Sequence, residues 1–344
     1  MHMKLVRVAT GTVAIGALAA FGPVSAQAAL AKPVSDVYVP CSASALATAL
    51  SAASSGQTLF LTARCSYQLA TALPDISDTN LTIVGNGAVL ERSNAPGIPG
   101  FAILTVDGES PGNLTLADVN FGNGGGGTDY YGGAITNDGG NVTVHGGTFG
   151  SNHSGEYGGA IYNDGNLTVS DASFVDNTAE DYYGGAIYNE GDMTVTGSEF
   201  AGNSAEYGGG IYNEDTATLT GDTFAENNAY EGGGLYNEYQ VTVSDAMIHA
   251  NRAEYGAGIY NDGGPLTVGN TTVTLNVASD DGGGIYEESG AVTVNASHIV
   301  LNGASSGGGI YNDGDNTVTL NSTVVVSNKP NNCVSGAAIA GCTD

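Results

Sequence analysis

The stretch Gly158-Gly159-Ala160-Ile161-Tyr162-Asn163-Asp164 returns in near-copies every 24 to 26 residues between positions 132 and 313. The copies begin at Gly132, Gly158, Gly184, Gly208, Gly232, Gly256, Gly282 and Gly307. A period of this size is typical of repeat proteins in which every unit is one supersecondary element. The sequence therefore predicts a solenoid that grows by adding units, rather than a pair of globular domains.

Each unit carries two further short apolar segments. One is a three-residue alternation such as Leu167-Thr168-Val169, which is typical of a half-buried strand. The other reads apolar-x-x-Asn, as in Phe174 to Asn177, and its asparagine appears in all eight units. Three short strands per repeat predict an all-β fold. We expect a right-handed three-sided parallel β-helix, a solenoid of about 10–11 rungs.

The sequence around the repeat predicts four segments. Residues 1–28 join Lys4 and Arg7 to an apolar run that ends in Ala26-Gln27-Ala28, which is typical of a secretory signal peptide. We expect residues 29–131 to form an N-terminal cap and irregular opening rungs, with a short amphipathic capping helix over 42–53. Residues 132–328 hold the regular β-helix repeats, and residues 329–344 are expected to form a cysteine-containing C-terminal cap.

The four cysteines fit export to an oxidising compartment. Cys41 and Cys65 lie near one end of the exported chain, and Cys333 and Cys342 lie near the other. Because a β-helix separates its two ends by the whole stack, we expect the local bridges Cys41–Cys65 and Cys333–Cys342. Metal ligation is the alternative.

The charge of the chain limits its partners. Only 7 Lys plus Arg oppose 35 Asp plus Glu, which gives a formal net charge of −28. Such a surface repels nucleic acid and anionic membranes, and after the leader no apolar run approaches the roughly 18 residues of a membrane span. We therefore expect a secreted protein, extracellular or at the cell surface, that is a monomer with no nucleic-acid partner and no transmembrane segment. The acidity serves either solubility or cation binding.

Period-2 geometry assigns each side chain of the repeated strand to one side of the wall. With Ile161 pointing inward, Tyr162 points outward, Asn163 inward and Asp164 outward. The inward asparagines can form a ladder of amides that are hydrogen-bonded along the stack. Its members are Asn137, Asn163, Asn189, Asn213, Asn237, Asn261 and Asn312. Glu287 takes the asparagine position in one unit and is expected to interrupt the ladder.

The outward tyrosines are candidate ligand-binding residues, because aromatic rings beside carboxylates suit stacking against sugar rings. These candidates are Tyr162, Tyr188, Tyr212, Tyr236 and Tyr260. A ladder that only covers the strand is the alternative.

The outward acids are candidate Ca²⁺ ligands. Two unit charges one rung apart repel by roughly 1 kcal/mol in water, so a divalent cation that bridges adjacent rungs would stabilise the row. The candidate metal ligands are Asp164, Glu190, Glu214, Glu238 and Asp262. Carboxylates that splay into water and are screened by salt are the alternative.

The signature apolar-x-x-N occurs eight times over residues 132–328, and G-G-[AG]-[IL] occurs in seven of the same eight units, with Ala257 in place of the second glycine in the remaining one. As a pair they resemble the repeats of the chlamydial polymorphic outer membrane protein family, which are adhesins with a parallel β-helix passenger. The resemblance implies a pectate-lyase-like (pectin-lyase-like) fold, a surface location and an adhesive role. The chain is also similar to secreted bacterial β-helix proteins that use this repeat.

A polysaccharide-degrading lyase or glycoside hydrolase of the same fold is the alternative function. Lyases that act on uronates need basic residues to hold an acidic chain, whereas the regular repeats offer only Arg252. Hydrolases need a carboxylate cluster that departs from the repeat. The candidate catalytic residues are Asp280, Asp281, Glu287 and Glu288. We expect instead a non-enzymatic adhesive or glycan-binding role, with surface glycans or host cell-surface components as partners and with Ca²⁺ as the only candidate cofactor.

Overall fold

A computed structural model describes residues 35–107, 112–125, 131–314, 316–336 and 338–343. The compact unit that contains all of them spans Val34–Asp344. It is an all-β parallel solenoid of about 12 turns with one short helix, so the predicted fold class is confirmed. The predicted signal peptide, residues 1–28, lies outside the described residues.

The opening turns are built from strands of unequal length. They are Val37–Val39, Gln57–Leu61, Ser66–Leu69, Asn80–Arg92, Leu104–Val106 and Asn113–Gly122. Val37–Val39, Gln57–Leu61 and the first parts of the two long strands pair in series before the first regular strand of the same sheet face, which begins at Asn141. These four opening turns and the eight regular ones give about 12 turns, slightly more than the predicted 10–11.

A short helix covers the first turn, as predicted. It spans Ala43–Ser51, and Ser42 caps its N-terminus by accepting a hydrogen bond from the backbone N–H of Ala45. Leu46 and Leu50 are buried on its inner side. The helix contacts the strands Val37–Val39 and Ser66–Leu69, and the disulfide Cys41–Cys65 joins the two segments. The open end of the stack is therefore covered and covalently held.

Each regular rung contributes one strand to each of three faces. Face 1 contains Ile135–Asn137, Ile161–Asn163, Ile187–Asn189, Ile211–Asn213, Leu235–Asn237, the start of Ile259–Gly269, the start of Ile285–Asn295, and Ile310–Asn312. Face 2 contains Asn141–His145, Asn166–Ser170, Asp192–Thr196, Thr216–Thr220, Gln240–Ser244, the ends of the same two long strands, and Thr317–Asn321. Face 3 contains Thr148–Gly150, Ser173–Val175, Glu199–Ala201, Thr223–Ala225, Met247–His249, Thr272–Thr274, His298–Val300 and Val324–Val326.

Shorter strands complete the rungs. His153–Ser154 pairs with Thr178–Ala179, and Arg252–Ala253 pairs with Val277–Ala278. All strand pairs are parallel, and equivalent residues of successive units lie side by side, so Ile161 has Ile135 and Ile187 as its neighbours. This register aligns every repeated side chain into a row along the stack.

The interior is a set of apolar columns. Face 1 contributes the fully buried Ile or Leu of each motif, and face 3 contributes a phenylalanine stack from Phe121 to Phe224. The ring centroids of that stack lie 4.7 to 4.9 Å apart, which is the spacing of adjacent strands. Each rung therefore buries its apolar residues against the rungs above and below, and not alone.

The predicted asparagine ladder forms on face 1, and a second ladder, built from the asparagines of the apolar-x-x-Asn segments, forms on face 3. On face 1, the amide of Asn163 donates to Asn189 Oδ1 at 2.7 Å, and the same bond repeats from Asn137 to Asn261. On face 3, Asn203 Nδ2 donates to Asn227 Oδ1 at 2.9 Å within a row that runs from Asn152 to Asn328. The expectation that Glu287 interrupts the first ladder holds on one side only. Glu287 Oε2 accepts a hydrogen bond from Asn261 Nδ2 at 2.8 Å, because a carboxyl oxygen can replace an amide oxygen as acceptor. On the other side, Glu287 Oε1 and Asn312 Oδ1 are buried without hydrogen-bond partners, so the ladder stops between these two residues.

The C-terminal segment closes the last rung. Cys333–Ser335 pairs with Ile310–Asn312, the disulfide Cys333–Cys342 closes the following loop, and Ile339 is buried against the core. Both predicted disulfides are thus confirmed, and no described cysteine is free. None of the helices in the described part of the chain has the length and apolar composition that a membrane span requires.

Candidate functional site

The tyrosines of face 1 lie outside the core, as predicted, but they are not a free surface. They stack face to face with ring centroids 4.7 to 5.5 Å apart, because one rung step matches the distance at which aromatic rings pack. We call this set the tyrosine column. Its members are Tyr162, Tyr188, Tyr212, Tyr236, Tyr260 and Tyr286, each 4–9% exposed. The expectation that these tyrosines form an exposed row is therefore corrected. They are buried, because neighbouring rings cover both faces of most of them.

A second row of tyrosines packs on the column and was missed by sequence reasoning. Its members are Tyr131, Tyr157, Tyr183, Tyr207 and Tyr255. Tyr157 meets Tyr188 edge-on at 5.0 Å, and Tyr183 meets Tyr212 at 4.5 Å. The available signal was that tyrosine directly precedes five of the eight copies of the motif. The two rows together form an aromatic layer on the outside of face 1.

Each hydroxyl of the column, as far as Tyr260, is bonded to an acid of the next rung. Tyr162 donates to Glu190 at 2.7 Å and Tyr236 donates to Asp262 at 3.1 Å. The same bond joins Tyr188 to Glu214, Tyr212 to Glu238 and Tyr260 to Glu288. Four of the five acids proposed as Ca²⁺ ligands, and Glu288 as well, are therefore acceptors in a repeated tyrosine–carboxylate pair.

The environment keeps these hydroxyls protonated. Burial, followed by the hydrogen bond to Glu190, raises the pKa of Tyr162 well above its usual range. Burial also raises the pKa of the Glu214 carboxyl, and the neighbouring Glu238 and Glu190 raise it further, whereas the hydrogen bond from Tyr188 lowers it. The acid row is thus stabilised in part by tyrosine donors and still carries mutual repulsion.

Binding of Ca²⁺ by this row stays a prediction. Among the residues that the structure describes, no group of three or more His, Cys, Asp or Glu side chains is arranged to hold a metal ion. Weak bridging of adjacent rungs by Asp164, Glu190, Glu214, Glu238 and Asp262 would depend on rotation of exposed carboxylates. Binding to the folded state would raise stability by about 2.7 kcal/mol when free ion reaches 100 times its dissociation constant.

The variant Glu214→Gln with Glu238→Gln tests this prediction. Glutamine still accepts a hydrogen bond from tyrosine, so the double variant should melt higher than wild type without Ca²⁺ because repulsion is relieved. It should also gain less when millimolar Ca²⁺ is added. Thermal melts with Ca²⁺ and with NaCl of matched ionic strength decide the matter. Equal shifts in the two salts would reduce the row to a solvated face.

The four candidate catalytic acids are not brought together on one surface. Glu287 is fully buried on the inner side of the wall, whereas Glu288 faces outward and accepts from Tyr260. Asp280 accepts a hydrogen bond from Tyr255 at 3.0 Å. Asp281 directly precedes Gly282 and so occupies, in its unit, the position that the second tyrosine row has in others. Burial, then Asp280 and Asp313, raises the pKa of Asp281. The alternation of side chains along the strand separates Glu287 from the other three.

Glu231 is a functional candidate that sequence reasoning missed. It occupies the position of the second tyrosine row, between Tyr207 and Tyr255. Burial, followed by the charges of Glu288 and Asp262, raises the pKa of Glu231 to about 7. A carboxyl that is partly protonated at neutral pH beside ionised ones can act as a general acid.

The tyrosine column ends at Tyr162, and a cleft lies at this end. The register partner of Tyr162 in the preceding rung is Thr136, and that of Thr136 is Thr105. These short side chains leave a cavity of about 210 Å³ that we call the Tyr162 cleft. It is lined by Thr105, Tyr131, Thr136, Asp138 and Tyr162. Tyr131 stands edge-on to Tyr162 at 4.7 Å, so two aromatic rings, a carboxylate and two hydroxyls converge here.

A larger cavity of about 420 Å³ lies beside the cap helix. Its lining includes Val37, Tyr38, Thr48 and Gln57 but no acidic or basic side chain. It therefore lacks the convergence of ionic and aromatic groups that distinguishes the Tyr162 cleft.

Comparison with known protein families supports the assignment of the repeat. Residues 171–190 match the model described as the Chlamydia polymorphic membrane protein (Chlamydia_PMP) repeat. No curated protein matches the chain. Among solved structures, bacteriophage CBA120 tailspike protein 3 (TSP3, orf212) aligns with a TM-score of 0.35 and 10% identity over 88% of this chain. The chain spans 59% of that tailspike's length.

The matched segment contains both halves of the repeated signature. It runs from Phe174 and Asn177 on face 3 to Ile187 and Asn189 on face 1. Equivalent residues of the other units stack on these in register. The chain is therefore a parallel β-helix protein that carries the polymorphic-membrane-protein type of repeat.

Proposed function

We propose that this protein is a secreted or cell-surface β-helix with a non-enzymatic adhesive role, and that it binds a glycan at the Tyr162 cleft. The observation that carries the proposal is the interruption of the tyrosine column by Thr136, which leaves one side of the Tyr162 ring bordering a cavity. The other members of the column are stacked on both sides by tyrosine. The repeat therefore builds many aromatic rings and leaves an open space at this end of the column.

The chemistry of the cleft suits a sugar. A tyrosine ring packs against the apolar face of a pyranose, and carboxylate and hydroxyl oxygens accept and donate hydrogen bonds to sugar hydroxyls. The cavity of about 210 Å³ is below the roughly 300–1,000 Å³ of pockets for drug-sized ligands. It thus fits one sugar unit, such as the end of a chain, rather than a long segment.

Several features support export and display. The predicted leader, two disulfides and a net charge of −28 are typical of a protein that works outside the cell. A glycan ligand that meets such a surface must be neutral or cationic, because the field around the protein repels anions. Candidate ligands are therefore neutral or amino-sugar termini of surface glycans.

A glycan array probed with the purified mature protein, with and without Ca²⁺, tests the proposal. We expect selective binding that Tyr131→Ala weakens at least tenfold, since this change removes one wall of the cleft. Tyr260→Phe, which alters the column far from the cleft, is the matched control and should bind as wild type does. Equal binding by all three proteins would contradict the assignment of the site.

Polysaccharide hydrolysis is the second candidate function, and Glu231 is the observation that favours it. Burial and the charges of Glu288 and Asp262 raise its pKa to about 7, so it can donate a proton at neutral pH close to two further carboxyl groups. In this reading Glu231 protonates the leaving oxygen and an ionised neighbour activates water. Release of reducing ends from polysaccharide by wild type, and its loss in Glu231→Gln, would establish hydrolysis in place of adhesion.

A further inference from the structure

One rung of the buried asparagine ladder holds a carboxyl group in place of an amide. Glu287 is the register partner of Asn261 on one side and of Asn312 on the other, and it is fully buried. In each regular rung the asparagine accepts a bond from the rung before and donates one to the rung after. Glu287 fulfils the first role by accepting from Asn261 at 2.8 Å.

Glu287 does not fulfil the second role, which is to donate a hydrogen bond to the rung after. The remaining carboxyl oxygen of Glu287, Oε1, is buried and has no hydrogen-bond partner, and Oδ1 of Asn312 is also buried and without one. Among the buried side-chain oxygens that lack partners in the described residues, these two belong to adjacent members of one ladder. Two neighbouring acceptors without a donor between them are unfavourable unless a proton or a cation is added.

We propose that Glu287 is a buried proton-binding site, in which the neutral carboxyl donates from Oε1 to Asn312 Oδ1 and so completes the ladder. A protonated carboxyl has one acceptor oxygen and one O–H donor, which reproduces the donor and acceptor of the asparagine side chain. The proton therefore does at this rung what the amide N–H does at the others.

The surroundings favour the neutral form. Burial, followed by the nearby charge of Asp262, raises the pKa of Glu287 to about 8, and the bond from Asn261 lowers it only in part. The titratable groups on the strands packed around it are Tyr260 and Asp262 on one side, Tyr286 and Glu288 on its own strand, and Tyr311 with Asp313 beyond. All are acids or phenols, and no Lys or Arg lies between Arg252 and Lys329.

The sign of the pH effect follows from the raised pKa. Between the ordinary glutamate range and about pH 8 the folded state holds a proton that the unfolded state has lost, so the stability from this site decreases as pH rises. The unfolding equilibrium constant then grows by up to about tenfold per pH unit in that window. Above about pH 8 an ionised carboxylate faces Asn312 Oδ1, and we expect the contact between the rungs of Glu287 and Asn312 to weaken.

Glu287→Gln is the direct test, because glutamine supplies a permanent N–H donor of the same shape. We expect this variant to be more stable than wild type at about pH 9 and to lose the part of the pH slope that Glu287 contributes. The residual slope belongs to other raised carboxyls, chiefly Glu231 and Asp222. The matched control is Glu288→Gln, which alters the outward neighbour. It should keep the part of the slope that Glu287 contributes and change only the part that Glu231 contributes, since the charge of Glu288 raises the pKa of Glu231.

Infrared difference spectra give a second readout that does not depend on unfolding. The protonated carboxyl C=O absorption of wild type at about pH 7 should disappear by about pH 10. Glu287→Gln should lack the component that titrates near pH 8 and retain only the part that Glu231 contributes. Identical pH slopes for wild type and Glu287→Gln would overturn the proposal. So would the absence of that component from wild type together with stability that depends on Na⁺ or K⁺, since a cation would then occupy the site.

Discussion

Replacing Asn203 by alanine is expected to lower the free energy of unfolding by about 3 kcal/mol or more. Its amide donates to Phe174 O at 3.0 Å and to Asn227 Oδ1 at 2.9 Å. Its Oδ1 accepts from the backbone N–H and from the amide of Asn177. Alanine removes all four bonds in a fully buried place, and each polar group left without a partner costs about 1–3 kcal/mol.

Urea unfolding measures the loss, and Asn166→Ala provides the control. Asn166 also belongs to an asparagine row and donates to Asn141 Oδ1 at 2.9 Å, but both residues are exposed. Water replaces the lost bond there, so the cost should stay below about 1 kcal/mol. Equal losses in the two variants would mean that the buried ladder contributes no more than a surface one.

Gly208→Ala is the second change with a large expected effect, again about 3 kcal/mol or more. Gly208 opens one copy of the motif with φ of +67°, and an added Cβ would lie 2.5 Å from the carbonyl oxygen of Ile211. The backbone must move to admit the methyl group, and the movement is resisted by the rungs on both sides. We expect a lower urea midpoint and a lower melting temperature.

Gly221→Ala separates strain from crowding. Gly221 has φ of +71°, but the nearest atom to an added Cβ is 3.9 Å away. Only the left-handed conformation is penalised there, by about 1–2 kcal/mol. The difference between the two variants therefore measures how tightly the glycine pair packs against its own rung. Equal losses of stability in the two variants would show that the left-handed conformation alone explains the need for glycine at the start of the motif.

The sequence predicted the fold because its period and its alternation state the same structure at every unit. Ile161, Asn163 and Phe174 each point inward in the structure as period-2 geometry requires. The bridges Cys41–Cys65 and Cys333–Cys342 followed from the separation of the two ends. These features depend on local pattern, which one sequence contains in full.

The candidate site depends on what the repeat leaves out, and that was harder to predict. Alternation predicts that Tyr188 points outward, but it does not predict that Tyr157 packs over it. Tyr157 lies in the turn before the preceding copy of the motif, outside the repeated strand. The same limit applies to Glu231, because its neighbours Tyr207 and Tyr255 also lie in the turns before the motif and not in the repeated strand. Glu287 was assigned to the inner row, but its role as an acceptor in the ladder required the geometry of Asn261.

The measurement that tests the account most directly is glycan binding by Thr136→Tyr. Tyrosine at 136 is the residue that face 1 carries in the other rungs, so it should extend the column by one ring, fill the cleft and leave stability equal or higher. With a ligand chosen from the array and titrated by calorimetry, the account predicts that wild type binds and that this well-folded variant does not. Wild-type affinity in Thr136→Tyr would contradict the claim that the open end of the tyrosine column is the binding site.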